Sequence, residues 1–208
     1  MNAEHDIKSH WENIYNSKSE NELSWFQEYP KTSMMLIESL NLQKTANIID
    51  IGGGESRLPD ALLEKNYQNI WVLDISTTAI EKAKKRLGEK ASLVNWIVGD
   101  IIEFSSDAKF ALWHDRGAFH FLIEENQIGQ YLAVAKNQTA PNGYLILGTF
   151  SEQGPQKCSG LPVKRYAESS LSAIFEEGFE KINCSQEDHI TPGNISQNFL
   201  FCSFKKKQ

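Results

Sequence analysis

The stretch Ile48-Ile49-Asp50-Ile51-Gly52-Gly53-Gly54-Glu55-Ser56 decides how this chain of 208 residues is read. Residues 46–51 form a short apolar run with the character of a buried strand. Residues 56–66 follow as a helix, with Leu58, Leu62 and Leu63 on one face. Three glycines between strand and helix let backbone approach a ligand closely, which is the placement of a nucleotide-type loop. A glycine-rich turn without a ligand is the plainer alternative.

Working outward, the same alternation repeats. Residues 70–74, 93–98, 110–113 and 144–150 read as further strands, and 77–87 and 124–137 as amphipathic helices between them. Gly88 is placed to end the first of those helices, and Pro141-Asn142-Gly143 to open the fifth strand. Repeated strand–helix units with short connections imply a parallel sheet with right-handed crossovers. Near the end, 179–184 and 198–204 read as strands able to pair antiparallel through the turn at Pro192-Gly193-Asn194, after a helix near 168–177. Residues 5–40 contain two helical stretches around an aromatic loop, with Pro30 in the first turn of the second.

What the glycine loop lacks narrows the ligand. A dinucleotide fingerprint begun at Gly52 and Gly54 needs a glycine where Arg57 stands, and Glu55 occupies the place of a pyrophosphate. An acidic loop, with Asp50 and Glu55, suits a cation such as S-adenosylmethionine, which carries a sulfonium and an ammonium and no phosphate. Asp74 closes the second strand, where a carboxylate can accept both ribose hydroxyls. Asp100 closes the third, where it can accept from an adenine amine. Taken singly, each is an ordinary loop or cap residue. Three acids at successive strand ends share one edge of the sheet.

DIGGGES, LDIS and VGDI, in this order, resemble the first three motifs of class I S-adenosylmethionine-dependent methyltransferases. The resemblance implies a Rossmann-like, mostly parallel seven-stranded sheet with an antiparallel last strand, helices on both faces and a helical N-terminal cap. It also implies Gly52 and Gly54 against the amino-acid part of the cofactor, Asp74 and Ile75 at the ribose, and Asp100 and Ile101 at the adenine. The family's third loop glycine is replaced by Ser56. Trp113-His114-Asp115-Arg116-Gly117-Ala118 resembles the W-x-D-R-G-A stretch of thiopurine methyltransferases, and relatives that methylate protein lysines carry a comparable segment. Arg116, His114 and Asp115 are therefore the catalytic candidates; a loop ion pair of Asp115 with Arg116 is the competing reading, and His120 reads as packing or surface. Trp11 and Tyr15 share a helix face, and with Trp25 they form either a lid over the cofactor or a permanently packed face.

Composition sets the remaining bounds. The net charge is −6, which disfavours nucleic acid as a partner, and the Asn/Asp-Pro-Pro-aromatic tetrapeptide of many nucleic-acid methyltransferases is absent. No apolar run reaches the length of a membrane span, and the polar N-terminus lacks a secretory pattern, so the expected location is cytoplasmic. Cys158, Cys184 and Cys202 are expected to be reduced thiols, with no metal site. The expected organisation is one domain over 1–208: a cap over 1–40, a cofactor core over 41–150 and a substrate side over 151–208. The loop holding Gly154, Pro155, Cys158, Gly160 and Pro162 would wall the substrate. The expected partner is a small molecule or a protein side chain, and oligomeric state stays open. A non-catalytic S-adenosylmethionine-binding module and, more distantly, a nicotinamide-dependent oxidoreductase are the alternatives.

Overall fold

A computed structural model describes the backbone of residues 3–208 and the side chains from Ile7 onward. Seven strands form one sheet: β1 (Asn47–Ile51), β2 (Asn69–Asp74), β3 (Val94–Val98), β4 (Phe110–Arg116), β5 (Thr139–Phe150), β6 (Phe179–Ile190) and β7 (Ser196–Lys206). Their order is β3-β2-β1-β4-β5-β7-β6. Strands β1 to β5 pair in parallel, and β7 runs antiparallel to both of its neighbours.

Alternation along the strands supplies the two cores. Ile48, Ile70, Val72, Leu112 and Ile146 point to one face, where they meet Met34 and Ile37 of α2 (Lys31–Ser39), Leu58 and Leu62 of α3 (Leu58–Glu64) and Ile80 of α4 (Thr77–Leu87). Ile49, Ile51, Leu73, Trp113, Leu145 and Leu147 point to the other, against Tyr131 and Ala135 of α5 (Glu125–Gln138) and Leu171 and Phe175 of α6 (Glu168–Phe175). Each fully buried aliphatic side chain contributes about 1.5–3 kcal/mol, so adjacent isoleucines on opposite faces hold β1 in the middle of the sheet. A third, small cluster of Tyr15, Leu23 and Ala79 joins α1 (Ala3–Ser17) to α4.

Several boundaries differ from the sequence reading, and each has a local cause. Helix α4 spans the expected residues, capped at Ser76 by its side chain and ended at Gly88 with φ +58°, a backbone conformation that favours glycine. Pro30 sits one residue before α2 rather than inside its first turn. Strand β5 starts at Thr139, which pairs with Phe110 before the register shifts and Tyr144 pairs with Leu112. Strand β6 runs to Ile190, well past Cys184, because β7 offers it a partner along its whole length. In the loop after β5, Lys157–Cys158 pairs with Leu161–Pro162 as a small antiparallel ladder.

The cysteine expectation is corrected. Cys184 and Cys202 are bonded, and only Cys158 is free. The cause is register: β6 and β7 place the two residues directly opposite each other. A thiol titration of unreduced, denatured protein is expected to find one reactive thiol, rising to three after reduction. Closing a loop of this size is worth about 3 kcal/mol, so reduction is also expected to lower the denaturation midpoint.

Candidate functional site

The carboxyl ends of β1 to β4 open onto a cavity of about 500 Å³. In an open α/β sheet this is the edge where ligands bind. Ile51 and Gly52, where the glycine loop begins, line it. A side chain at Gly54 (φ +45°) would start 2.6 Å from the Tyr15 hydroxyl and 2.9 Å from Asp74 Oδ2, so only bare backbone fits between those groups. Arg86 of α4 holds the loop from behind. It donates to the carbonyls of Glu55 and Ser56 at 2.9 and 2.7 Å and pairs with Asp60. Arg57, where a dinucleotide loop would carry glycine, reaches instead to Glu20 of the N-terminal segment at 2.7 Å.

Asp74 is buried at the cavity wall. Its Oδ1 accepts from the Ser76 amide at 2.8 Å. Burial pushes its carboxyl up to about 7, helped by the charges of Asp50 and Glu12, while the Ser76 and Gly54 amides pull the other way. A half-protonated carboxyl in a cavity wall is poised to gain from hydroxyl donors. Ile75, Asp100 and Ile101 line the same side, and Asp100 also caps the turn behind it through the Ile102 amide at 3.1 Å. Trp11, Tyr15 and Trp25 also line the cavity. Trp11 packs edge-on against Trp25 and Phe121, with ring centres 5.9 and 4.9 Å apart. Glu55 is raised by burial, offset by Lys82 at 3.7 Å.

The three residues at the end of β4 part company. His114 is buried with both ring nitrogens engaged, Nδ1 with Asp50 Oδ1 at 2.7 Å and Nε2 with Ser33 Oγ at 2.9 Å. It lines a separate recess of about 50 Å³ under the glycine loop, together with Asp50, and does not line the large cavity. Asp115 is fully buried; it accepts from the Ala118 and Phe119 amides and from the Tyr131 hydroxyl at 2.7 Å. Burial raises its carboxyl to about 6. It shapes the turn after β4 and forms no ion pair with Arg116 among the described residues. Arg116 does enter the cavity. It donates to the Trp25 carbonyl at 2.9 Å and lies over the Phe199 ring at 4.7 Å. Burial lowers its guanidinium to about 10, which leaves it charged at neutral pH.

Other contributors carried no sequence signal. Glu12 caps α4 from a different helix, accepting from the Thr77 and Thr78 amides at 2.7 and 3.0 Å and from the Ser76 hydroxyl at 3.0 Å. Those bonds lower its carboxyl despite burial. His120, which reads from the sequence as packing or surface, is buried in the cavity wall against Phe121 and Phe150. Phe121, Phe150 and Phe199, from three separate segments, complete an aromatic wall. Among the described residues no cluster of metal ligands occurs, and no helix is long and apolar enough to cross a membrane.

An acid-lined crevice at the carboxyl edge of a 3-2-1-4-5-7-6 sheet defines the Rossmann-like methyltransferase fold. Residues 48–143 match the methyltransferase domain family. Over that span, just under half of the chain, it is similar to the class I S-adenosylmethionine-dependent methyltransferases. It is 24% identical to nodulation protein S of Rhizobium tropici over 62% of this chain, and spans about half of that protein's length (54%). It is 24% identical to EEF1A lysine methyltransferase 2 of Danio rerio, over 84% of this chain and 72% of that one. The solved 1,6-didemethyltoxoflavin-N1-methyltransferase of Burkholderia thailandensis, with bound 1,6-didemethyltoxoflavin and S-adenosylhomocysteine, shares the fold. Its TM-score is 0.76 at 18% identity, covering 100% of this chain and 92% of that one.

Proposed function

We propose that the chain binds S-adenosylmethionine in the large cavity and transfers its methyl group to a nucleophile of a small molecule or of a protein side chain. The observation that carries this reading is the buried carboxylate of Asp74, facing a bare-backbone cradle at Gly54 in an otherwise acidic crevice. The large cavity beside it has room for a ligand, and the acids of its wall, Asp74, Asp100, Glu103 and Glu124, favour a positively charged one. When bound, the cofactor supplies a methyl group made electrophilic by its sulfonium.

The residues divide the work by position. Gly52 and Gly54 would hold the amino-acid end, Asp74 and Ile75 the ribose, and Asp100 and Ile101 the adenine. Trp11, Tyr15 and Trp25 would exclude water, the purpose of a cover over a reactive charge. Arg116 would border the acceptor. His114 and Asp115 would act by position, His114 by holding Asp50 and Asp115 by shaping the turn that presents Arg116. In this reading residues 1–40 are the cap, 41–150 the cofactor core and 151–208 the acceptor side. The named relatives support both acceptor classes: one is a 1,6-didemethyltoxoflavin-N1-methyltransferase, another an EEF1A lysine methyltransferase.

Calorimetry with S-adenosylmethionine, S-adenosylhomocysteine and NAD tests the cofactor. Heat is expected from the first two and none from NAD; heat from NAD alone would sink the reading. Labelled methyl transfer into a cell extract, split into small-molecule and protein fractions, tests turnover. Cofactor binding without transfer would leave a non-catalytic binding module. A cytoplasmic location is proposed with this function. Finding the Cys184–Cys202 bridge formed in cells lysed under thiol-trapping conditions would overturn that location, because such bridges seldom persist in a reducing compartment.

A further inference from the structure

One end of the large cavity is an aromatic cluster built from β5, β7 and the turn after β4. Arg116 lies over Phe199, the rings of Phe199 and Phe150 are 4.8 Å apart, and His120 stands 4.5 Å from Phe150 and 4.7 Å from Phe121. All of these residues line the cavity. Two charged or ionisable nitrogen side chains enter the cluster, and both are incompletely bonded. Arg116 spends Nη1 on the Trp25 carbonyl, leaving Nε and Nη2 buried with no partner. His120 Nδ1 accepts from the Phe150 amide at 3.3 Å, which assigns the ring proton to Nε2, and Nε2 is also buried with no partner.

Donors left unpaired in a buried site cost free energy unless something accepts from them. These two can only donate. Burial and the neighbouring guanidinium hold the imidazole down to about 3, so it stays neutral and keeps its Nε2 proton across the physiological range. The carboxylates whose charges reach Arg116 are Glu187 and Asp50, and neither lines this cavity or pairs with it within 4 Å among the described residues. The free thiol of Cys158, also in the wall, is held protonated by burial. The cluster therefore offers flat apolar surface, one fixed positive charge and an uncharged N–H.

We propose that this end of the cavity is the acceptor subsite, that it takes a planar small molecule bearing a carboxylate or another oxyanion, and that Arg116 Nε and Nη2 with His120 Nε2 grip that anion. The inference rests on the methyltransferase reading and chooses between its two acceptor classes. A lysine ammonium would leave all three orphaned donors unpaired and bring a second positive charge to Arg116, whereas an anion satisfies them.

The test uses three isosteric probes, 2-naphthoate, 2-naphthamide and 2-naphthylmethylamine, titrated into protein saturated with S-adenosylhomocysteine. Naphthoate is expected to bind at least about tenfold tighter than the amine, with the amide between them. His120→Phe keeps the ring and removes the donor, and is expected to erase most of that preference. Nitrogen NMR of the wild-type imidazole gives a readout that does not depend on the variant folding. Nε2 should stay protonated and Nδ1 bare from about pH 5.5 to about 8, and the Nε2 signal should move with naphthoate but not with the amine. Equal or tighter binding of the amine, or an imidazole that titrates in this range or ignores naphthoate, overturns the proposal. Failure of S-adenosylhomocysteine to bind at the outset would instead overturn the methyltransferase reading.

Discussion

Replacing Asp74 with alanine is expected to weaken S-adenosylhomocysteine binding by roughly 1.5–3 kcal/mol, the range for hydrogen bonds to a charged group, or about 10- to 150-fold in Kd. The carboxylate is buried beside the Gly54 cradle, so the lost bonds are not replaced by water at equal value. Its protonation gives the prediction a pH signature. In the empty protein Asp74 sits at about 7, raised from 3.8 chiefly by burial. Ribose hydroxyls stabilise the ionised form, so binding should release a proton, and affinity should rise with pH through the region below and around 7. Stability runs the opposite way. Between 3.8 and about 7 the folded protein binds the proton that the unfolded chain has lost. Asp74 therefore costs stability progressively as pH rises through that window. Asp74→Asn should flatten both dependences and raise the melting temperature of the empty protein at alkaline pH. Calorimetry in buffers of different ionisation enthalpy, with melting curves across pH, checks both; normal binding by Asp74→Ala would reduce the residue to a strand-end cap.

Deleting residues 1–28 is expected to cost about a hundredfold in cofactor affinity, since each aromatic contact contributes about 0.5–1.5 kcal/mol beyond its area and Trp11, Tyr15 and Trp25 are all removed. Turnover should fall further, because the Trp25 carbonyl that holds Arg116 goes with them. The effect on folding should be smaller. Tyr15 and Leu23 pack with Ala79 in a cluster separate from the two cores on the sheet faces, although Trp25 also touches one of those. The segment is nonetheless tied down by more than aromatic packing. Glu12 caps α4, Lys82 donates to the Lys18 carbonyl at 2.7 Å and Arg57 pairs with Glu20. Amide exchange of residues 10–26 with and without S-adenosylhomocysteine separates cover from core. Protection gained on binding supports a moving cover; equal, strong protection in both states means permanent packing.

The parallel sheet, its crossover helices and the glycine loop were legible from residue order because they are local properties. Apolar runs, a helical period and glycines between them are set by neighbours in the chain. Helix α4 shows this best, with both ends marked by Ser76 and Gly88. The positions of Asp74 and Asp100 were legible for the same reason, since a parallel sheet puts every β1–β3 terminus on one edge, whereas Asp50 lines the small recess with His114 and not the large cavity. Contacts across the sheet left no such trace. Nothing in the spacing of Cys184 and Cys202 announces a bond, which follows from the β6–β7 register. His114 and His120 stand six residues apart in one segment. Folding pairs the first with Asp50 and Ser33 from distant elements, and leaves the second neutral and half-bonded in the cavity wall. Glu12 reaches α4 across more than sixty residues of chain. Burial and partners are properties of the packed molecule, so the same residue types acquired opposite roles only once the elements had docked.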